Sequence, residues 1–262
     1  MPKTPPEGFT MGNGEPGESN QKHTVVLTHP FCMDETEVTV AAYRTCVERG
    51  QCTKPEWRDV NSTFTLPDHE QHPLNMVTWD QASHYCELRG QDLPTEAQFE
   101  WAAGQGKHRY PWGDEDPSCE NELADFTPGG APKSDPAGDV GCRGGNTSPV
   151  KAHPKGKTSW PDGDIFDLGG NVWEWTKDCA YPYAATQQVD PYRAVHPFLG
   201  DHCYVYSLRG GGWNRSKYAL RVYYRGAARR TYHVPALGFR CVRNPSDAPR
   251  AATLGHEARA SE

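Results

Sequence analysis

Composition and pattern agree with an α+β fold that is irregular and loop-rich, with few short helices and strands. The chain holds 26 glycines and 23 prolines among 262 residues, residue types that open positive-φ turns and end helices and strands. Aromatic residues reach 11% while the mean hydropathy is -0.82, which describes many turns tied to a compact core of Trp and Tyr, each burying a large area. Helical caps coincide with apolar spacing in only three places. The motifs spread along nearly the whole chain, giving one domain over residues 1–243 and a disordered tail over 244–262.

Residues 1–24 lead into a strand at Val25-Val26-Leu27, and Phe31 to Val38 supply a second extended piece. Thr39 is the N-cap of a helix from Val40 to Arg49 that turns Ala42, Tyr43 and Cys46 inward and stops at Gly50. Pro55, Pro67 and Pro73 make residues 53–75 a loop, where His69 and His72 read as solvated side chains rather than a metal pair. A second helix runs from Asp80 to Arg89, with Ala82, Tyr85 or Cys86, and Leu88 on its inner side and Gly90 as its stop. Thr95 caps a third, and Gln98 completes a capping box. Phe99, Ala102 and Ala103 form its buried face, while Glu96 and Glu100 are explained by the helix macrodipole. Residues 104–164 form a Gly/Pro-rich meander long enough to need pinning. A Tyr/Pro-rich insertion covers residues 180–207, and residues 208–242 make a terminal hairpin.

The chain is organised around Asp167-Leu168-Gly169-Gly170-Asn171-Val172-Trp173-Glu174-Trp175-Thr176. The glycines let backbone carbonyls turn toward a common point, and Asp167 and Glu174 add negative charge. Carboxylates mixed with main-chain oxygens suit a hard cation such as Ca²⁺. The same residues also fit a glycine turn followed by a buried strand with Trp173 or Trp175 in the core.

Nine cysteines bear on the compartment. Cys46 and Cys52 close a short loop, Cys119 and Cys142 bracket one excursion, and Cys179 and Cys203 bracket another. Without a C-x₂-C unit, zinc is a poor reading. Disulfides persist outside the reducing cytosol, so the expectation is an extracytoplasmic protein of the periplasm, envelope or exterior, with its export signal not within these residues. The net charge of -7 argues against nucleic acid as a partner, and no apolar run reaches the length of a membrane span.

Leu208-Arg209-Gly210-Gly211-Gly212-Trp213-Asn214 and Leu237-Gly238-Phe239-Arg240-Cys241-Val242 flank a basic, aromatic segment. Phe9-Thr10-Met11-Gly12, Glu35-Thr36-Glu37-Val38-Thr39 and Leu93-Pro94-Thr95-Glu96-Ala97-Gln98-Phe99-Glu100-Trp101 precede them in order. Over residues 8–243 this series resembles the formylglycine-generating enzyme (sulfatase-modifying factor) family, which implies a variant of the C-type lectin fold and with it the irregular α+β class that the composition agrees with. The resemblance also implies a disulfide between Cys86 and Cys241. The family's second bridge is missing, with Ala102-Ala103 and Gly226 near its positions, and Cys32 is left as a buried thiol. One or two calcium ions are implied. The first site comprises Asp167, the carbonyls of Gly170 and Val172, and Glu174. The second comprises Asn121, the carbonyl of Glu122, Asp139 and the carbonyl of Gly141, with Asp135 as a substitute for Asp139.

Members of this family oxidise a cysteine of an unfolded sulfatase with oxygen and copper(I), held by two thiolates in the pattern G-G-S-x-x-C-x₄-C. The corresponding positions here are Arg215 and Leu220, Gly212 replaces the serine, and no cysteine occurs between Cys203 and Cys241. Copper and formylglycine synthesis are therefore not expected. The related sulfoxide synthases take iron from an additional domain with an H-x₃-H-x-E motif, absent here; His196, His202 and His233 with Asp201 or Glu174 show no spacing that demands a metal. Trp213, Asn214, Arg215, Lys217, Tyr218 and Arg221 form a candidate partner-binding surface, since Tyr and Arg are enriched where proteins recognise proteins; Arg225, Arg229 and Arg240 resemble positions that brace the fold. The expectation is a non-catalytic, calcium-stabilised module recognising a protein or peptide, as in relatives that neutralise effectors. Retroelement-diversified display proteins fit less well, because Asn214 alone stands where they carry many asparagines. The alternative is a metal-dependent oxidoreductase acting on a cysteine or other thiol.

Overall fold

Helices form where caps and apolar spacing coincide. The computed structural model describes residues 1, 3–14, 20–55, 60–128, 142, 146–195 and 203–245. Helix α1 spans Val40–Glu48 and is capped by Thr39, whose hydroxyl accepts from the Ala42 N–H. Its inner stripe is Val40, Tyr43 and Cys46; at that spacing Ala42 falls on the outer face and is exposed. Helix α2 spans Trp79–Leu88 behind a capping box of Thr78 and Gln81. It buries Ala82, Tyr85 and Cys86, whereas Leu88, expected inside, lies off that stripe and is 44% exposed. Helix α3, Glu96–Gly104, has the expected Thr95 and Gln98 capping box and ends on Gln105 in the left-handed region, at φ 52.

Short strands precede and follow these helices. In chain order they are β1 (Phe9–Met11), β2 (His23–Val26), β3 (Cys32–Met33), β4 (Thr158–Trp160), β5 (Gly163–Ile165), β6 (Trp173–Cys179), β7 (Gln188–Val189), β8 (Val205–Arg209), β9 (Gly226–Arg229), β10 (Leu237–Gly238) and β11 (Val242–Arg243). The main sheet has the order β10-β6-β8-β9, with β10 parallel to β6 and the other pairs antiparallel. A second sheet runs β1-β2-β7, and β11-β3 and β4-β5 form two-stranded ribbons.

Residues 208–242 are thus not one hairpin. Their β9 returns along β8, but β10 crosses to β6 and β11 to β3. The crossing needs a glycine: a Cβ on Gly238 would stand 2.6 Å from the Leu74 carbonyl oxygen. The core is aromatic, as the composition requires. Trp175, Tyr43, Tyr110, Phe99, Phe126 and Phe239 are among the largest fully buried side chains, and Trp173 is buried beside them, so both indoles of the organising stretch lie in the interior.

The disulfides are Cys46–Cys52, Cys86–Cys241, Cys119–Cys142 and Cys179–Cys203. Cys32 is a free thiol and only half-buried, because it sits on β3 in a ribbon with β11 rather than in the core. The bridge from α2 to Cys241 encloses far more chain than the staple at Cys46. Replacing Cys86 and Cys241 with Ser, across a separation of 155 residues, is expected to lower stability by about 5 kcal/mol. The Cys46–Cys52 pair, 6 residues apart, is expected to contribute about 2 kcal/mol. Urea unfolding of the two double variants measures both, and equal losses would contradict the loop-length account.

Candidate functional site

The Asp167–Glu174 stretch is a chain of left-handed turns entering a buried strand. Asp167, Gly170 and Asn171 take φ values of 59, 98 and 56. Gly170 cannot be replaced, since a Cβ there would lie 2.5 Å from the Asp125 carbonyl oxygen. The turn is held from both sides: Gly170 N donates to Gly210 O, Asn171 N to Asp125 O, and Trp213 N to Asn171 O, at 2.8–3.0 Å. Neither the Gly170 nor the Val172 carbonyl takes a backbone hydrogen bond among the described turns and loops.

Glu174 emerges from the turn fully buried and meets Arg240, also fully buried. The pair is bidentate, with Arg240 Nε donating to Glu174 Oε2 and Nη2 to Oε1, each at 2.8 Å. Nη2 also donates to Phe166 O at 2.9 Å and Nη1 to Asp34 O at 3.3 Å. Asp167 Oδ2 accepts from Lys151 N at 2.7 Å. Glu37, which sequence reasoning did not single out, is 1% exposed, and neither of its oxygens has a hydrogen-bond partner. Burial pushes the Glu37 carboxyl well above the usual range, and the charge of Asp167 pushes it further. Burial likewise raises Asp167 and Glu174, with Arg240 opposing the shift at both.

Arg240 thus pairs with Glu174 and lies within electrostatic reach of Asp167 and Glu37, and burial raises all three carboxyls. Among the described residues no three His, Cys, Asp or Glu side chains gather closely enough to hold a metal, so a cation here would rest on Asp167 and Glu174 with the Gly170 and Val172 carbonyls. Oxygen donors of this kind are what calcium takes, but here both Glu174 oxygens are engaged by Arg240 and Asp167 Oδ2 by Lys151 N. The second predicted set is less complete. Asn121 Oδ1 accepts from Ser118 N at 2.9 Å and its Nδ2 donates to Asp116 O at 3.0 Å, while Glu122 takes a left-handed φ of 56. Asp139, Gly141 and Asp135 lie outside the described residues.

A second buried ion network overturns the macrodipole reading of Glu96 and Glu100. Both are buried, at 2% and 4% exposure. Arg225 Nε donates to Glu96 Oε2 at 2.6 Å, and Ser207 and Tyr183 hydroxyls donate to the same carboxylate. Glu100 pairs with the fully buried Arg209 and accepts from Gly12 N at 2.8 Å. Burial raises the Glu96 carboxyl, but Arg225 and Arg209 outweigh it and hold it at about 2. Asp178, buried beside Glu96 and accepting from the Glu96 and Arg193 N–H groups, is pushed up to about 7, first by burial and then by the Glu96 charge.

The candidate partner surface is reorganised. Trp213 is 6% exposed and belongs to the core, because Gly211 and Gly212 let the chain press inward against Ala219 and Ala236. Lys217 is paired with Asp116 at 2.7 Å, and Tyr218, 55% exposed, lies under the Arg221 guanidinium. Arg225 and Arg240 brace the interior as expected, but Arg229 does not: it is exposed at the edge of β9 and makes no ion pair among the described residues. With Arg215 and Asn214 it lines a cavity of about 650 Å³ floored by Trp173, Leu208 and Leu237. Leu220 is fully buried.

The histidines form no metal cluster among the described residues. His69 and His72 are half-buried, with tilted rings whose centroids lie 4.1 Å apart, rather than fully solvated; burial and then the His69 charge push His72 down to about 4. His233 Nδ1 contacts Thr231 O at 2.8 Å, and His196, His202 and Asp201 lie outside the described residues.

The chain is similar to known proteins over this whole framework. A family model described as "Sulfatase-modifying factor enzyme 1-like domain" matches residues 4–245. The formylglycine-generating enzyme of Streptomyces coelicolor is 30% identical over 90% of this chain and 85% of its own. The serine/threonine-protein kinase pkn1 of Chlamydia pneumoniae is 34% identical over 68% of this chain, which spans only 25% of that kinase. The inactive C-alpha-formylglycine-generating enzyme 2 of Bos taurus is 39% identical over 45% of this chain and 36% of its own. Among solved structures, Treponema denticola variable protein 1 superposes with a TM-score of 0.64 at 22% identity, covering 93% of this chain and 95% of that one. PvdO from Pseudomonas aeruginosa gives 0.65 at 18% identity, covering 93% and 92%. Both likenesses are of fold.

The buried carboxyls set a pH test. A carboxyl raised on folding, as at Asp178 with a value of about 7 against an ordinary 3.8, binds more protons folded than unfolded, so stability falls as pH rises through that window. Glu96 works oppositely: its contribution is lost as pH drops from its ordinary 4.5 toward about 2. Urea midpoints from pH 3 to 9 are expected to peak in mild acid and to fall toward pH 7, and a midpoint that rises over that range would contradict the account of Asp178.

Proposed function

Since the chain belongs to the sulfatase-modifying factor enzyme 1-like family, we propose that it is a non-catalytic member of it, a calcium-stabilised binding module outside the cytoplasm that recognises a protein or peptide. The observation that carries this reading is the fate of the two positions where the family resemblance puts copper-binding thiolates. One is Arg215, exposed at the cavity, and the other is Leu220, enclosed in the core. Neither side chain binds a soft metal. The bovine relative named inactive keeps company with this reading.

Calcium is supported by the carbonyls of Gly170 and Val172, which take no backbone hydrogen bond among the described turns and loops, and by the nearby carboxylates of Asp167 and Glu174. When bound, it would supply positive charge to the interior. The placement outside the cytoplasm is supported by four disulfides in a chain whose described helices are none long and apolar enough to cross a membrane. Recognition of a protein is supported by Arg215 and Arg229, which make no ion pair among the described residues, and by the exposed Tyr232 at the cavity.

The competing reading, a metal-dependent oxidoreductase acting on a thiol, draws on the similarity to the Streptomyces enzyme over most of both chains. Incubation with copper(I), oxygen and a cysteine-containing sulfatase peptide separates the two. Mass spectrometry is expected to return the peptide unchanged, and catalytic conversion of its cysteine to an aldehyde would overturn the binding-only reading.

A further inference from the structure

The cavity beside β9 also indicates what it takes. Its floor lies on one face of the main sheet, where Trp173 of β6, Leu208 of β8, Ala228 of β9 and Leu237 of β10 meet. Such a floor accepts an apolar side chain. Its rim is cationic: Arg215 and Arg229 are exposed and make no side-chain hydrogen bond or ion pair among the described residues. Other arginines and lysines of the same segment are already committed, Lys217 to Asp116, Arg225 to Glu96 and Arg230 to Asp80. Two uncommitted guanidiniums over an apolar floor, in a chain of net charge -7, are complementary to a carboxylate next to an apolar group.

The neighbouring backbone specifies a peptide. Strand β9 is an edge of its sheet. In an antiparallel ladder, alternate residues turn N–H and C=O away from the partner strand. Arg230 N donates to Tyr204 O at 2.9 Å, and the register pairs Tyr206 with Ala228 and Leu208 with Gly226. Ala227 and Arg229 are therefore the outward-turned residues. Neither the Ala227 N–H and C=O nor the Arg229 N–H takes a backbone hydrogen bond among the described turns and loops, and Ala227 is exposed. A free edge with a side-chain pocket beside it is the arrangement used for strand addition.

We infer that this site binds an acidic peptide segment in extended form. It would add as a strand along Ala227 and Arg229, placing an apolar side chain over Trp173 and Leu208 and a flanking carboxylate on Arg215 or Arg229. This rests on the binding-module reading above and names its partner's chemistry.

The test uses synthetic nonapeptides with a central Leu or Phe flanked by Glu, Gln or Lys, fluorescently labelled and titrated against the folded, disulfide-bonded protein. Glu-flanked peptides are expected to bind at least about tenfold more tightly than Lys-flanked ones. The double variant Arg215→Glu, Arg229→Glu should reverse that order. Methylating alternate backbone nitrogens of the Glu-flanked peptide should abolish binding, which distinguishes strand addition from capture of a small carboxylate. Both replaced side chains are exposed, so the variant is expected to retain the wild-type melting curve. Absence of binding by any peptide, binding without preference between Glu and Lys, or a preference indifferent to charge reversal would overturn the inference. None of these touches the binding-module reading, which falls instead if the protein oxidises a cysteine peptide.

Discussion

The rest of the structure depends on Arg240, a guanidinium without solvent contact, clamped on the equally buried Glu174. Burying either charge alone costs several kcal/mol, and removing one partner strands the other. The same guanidinium donates to the carbonyls of Phe166 and Asp34, so one side chain near the C-terminus joins the organising turn to the segment before α1. The disulfide at the next residue, Cys241, ties that junction to α2. Arg209 and Arg225 repeat the device against Glu96 and Glu100, joining α3 to β8 and to the residue before β9. A chain with short helices and strands is thereby held by enclosed ion pairs and crosslinks that link positions far apart in sequence.

These constraints separate the scaffold from the site. The buried ion pairs and the Gly170 and Gly238 close approaches involve none of the exposed arginines of the cavity rim. Arg215 and Arg229 can change without disturbing any of them, as expected where one fold hosts several functions. At the two positions where the family resemblance puts thiolates stand Arg215, exposed and with no ion pair among the described residues, and Leu220, enclosed in the core.

Much of the framework was legible in the sequence because it is local. Thr39, Thr95 and Gln98 announce helix starts through bonds made within one turn, and cysteines that bracket loops find each other. The glycines of the organising stretch declared its turns. Long-range features were not legible. Glu37 looks like any acidic residue before a helix, and only the packing of Asp167, Glu174 and Arg240 around it makes it costly. Glu96 and Glu100 fit the macrodipole so well locally that nothing pointed to their buried arginines. Trp213 and Arg229 exchanged roles for the same reason: both belong to a basic, aromatic segment whose inside and outside are set by β8 and β10. Leu88 and Ala42 were misplaced by a single position on a helix face.

The central claim, that this scaffold keeps its structural cation while lacking redox chemistry, is tested most directly by metal content. Protein made in an oxidising compartment and never exposed to chelator would be measured by mass spectrometry under native conditions. Calcium at about one ion per chain or more, with no transition metal, is the result predicted. Copper or iron in stoichiometric amount would contradict it and point to a redox site.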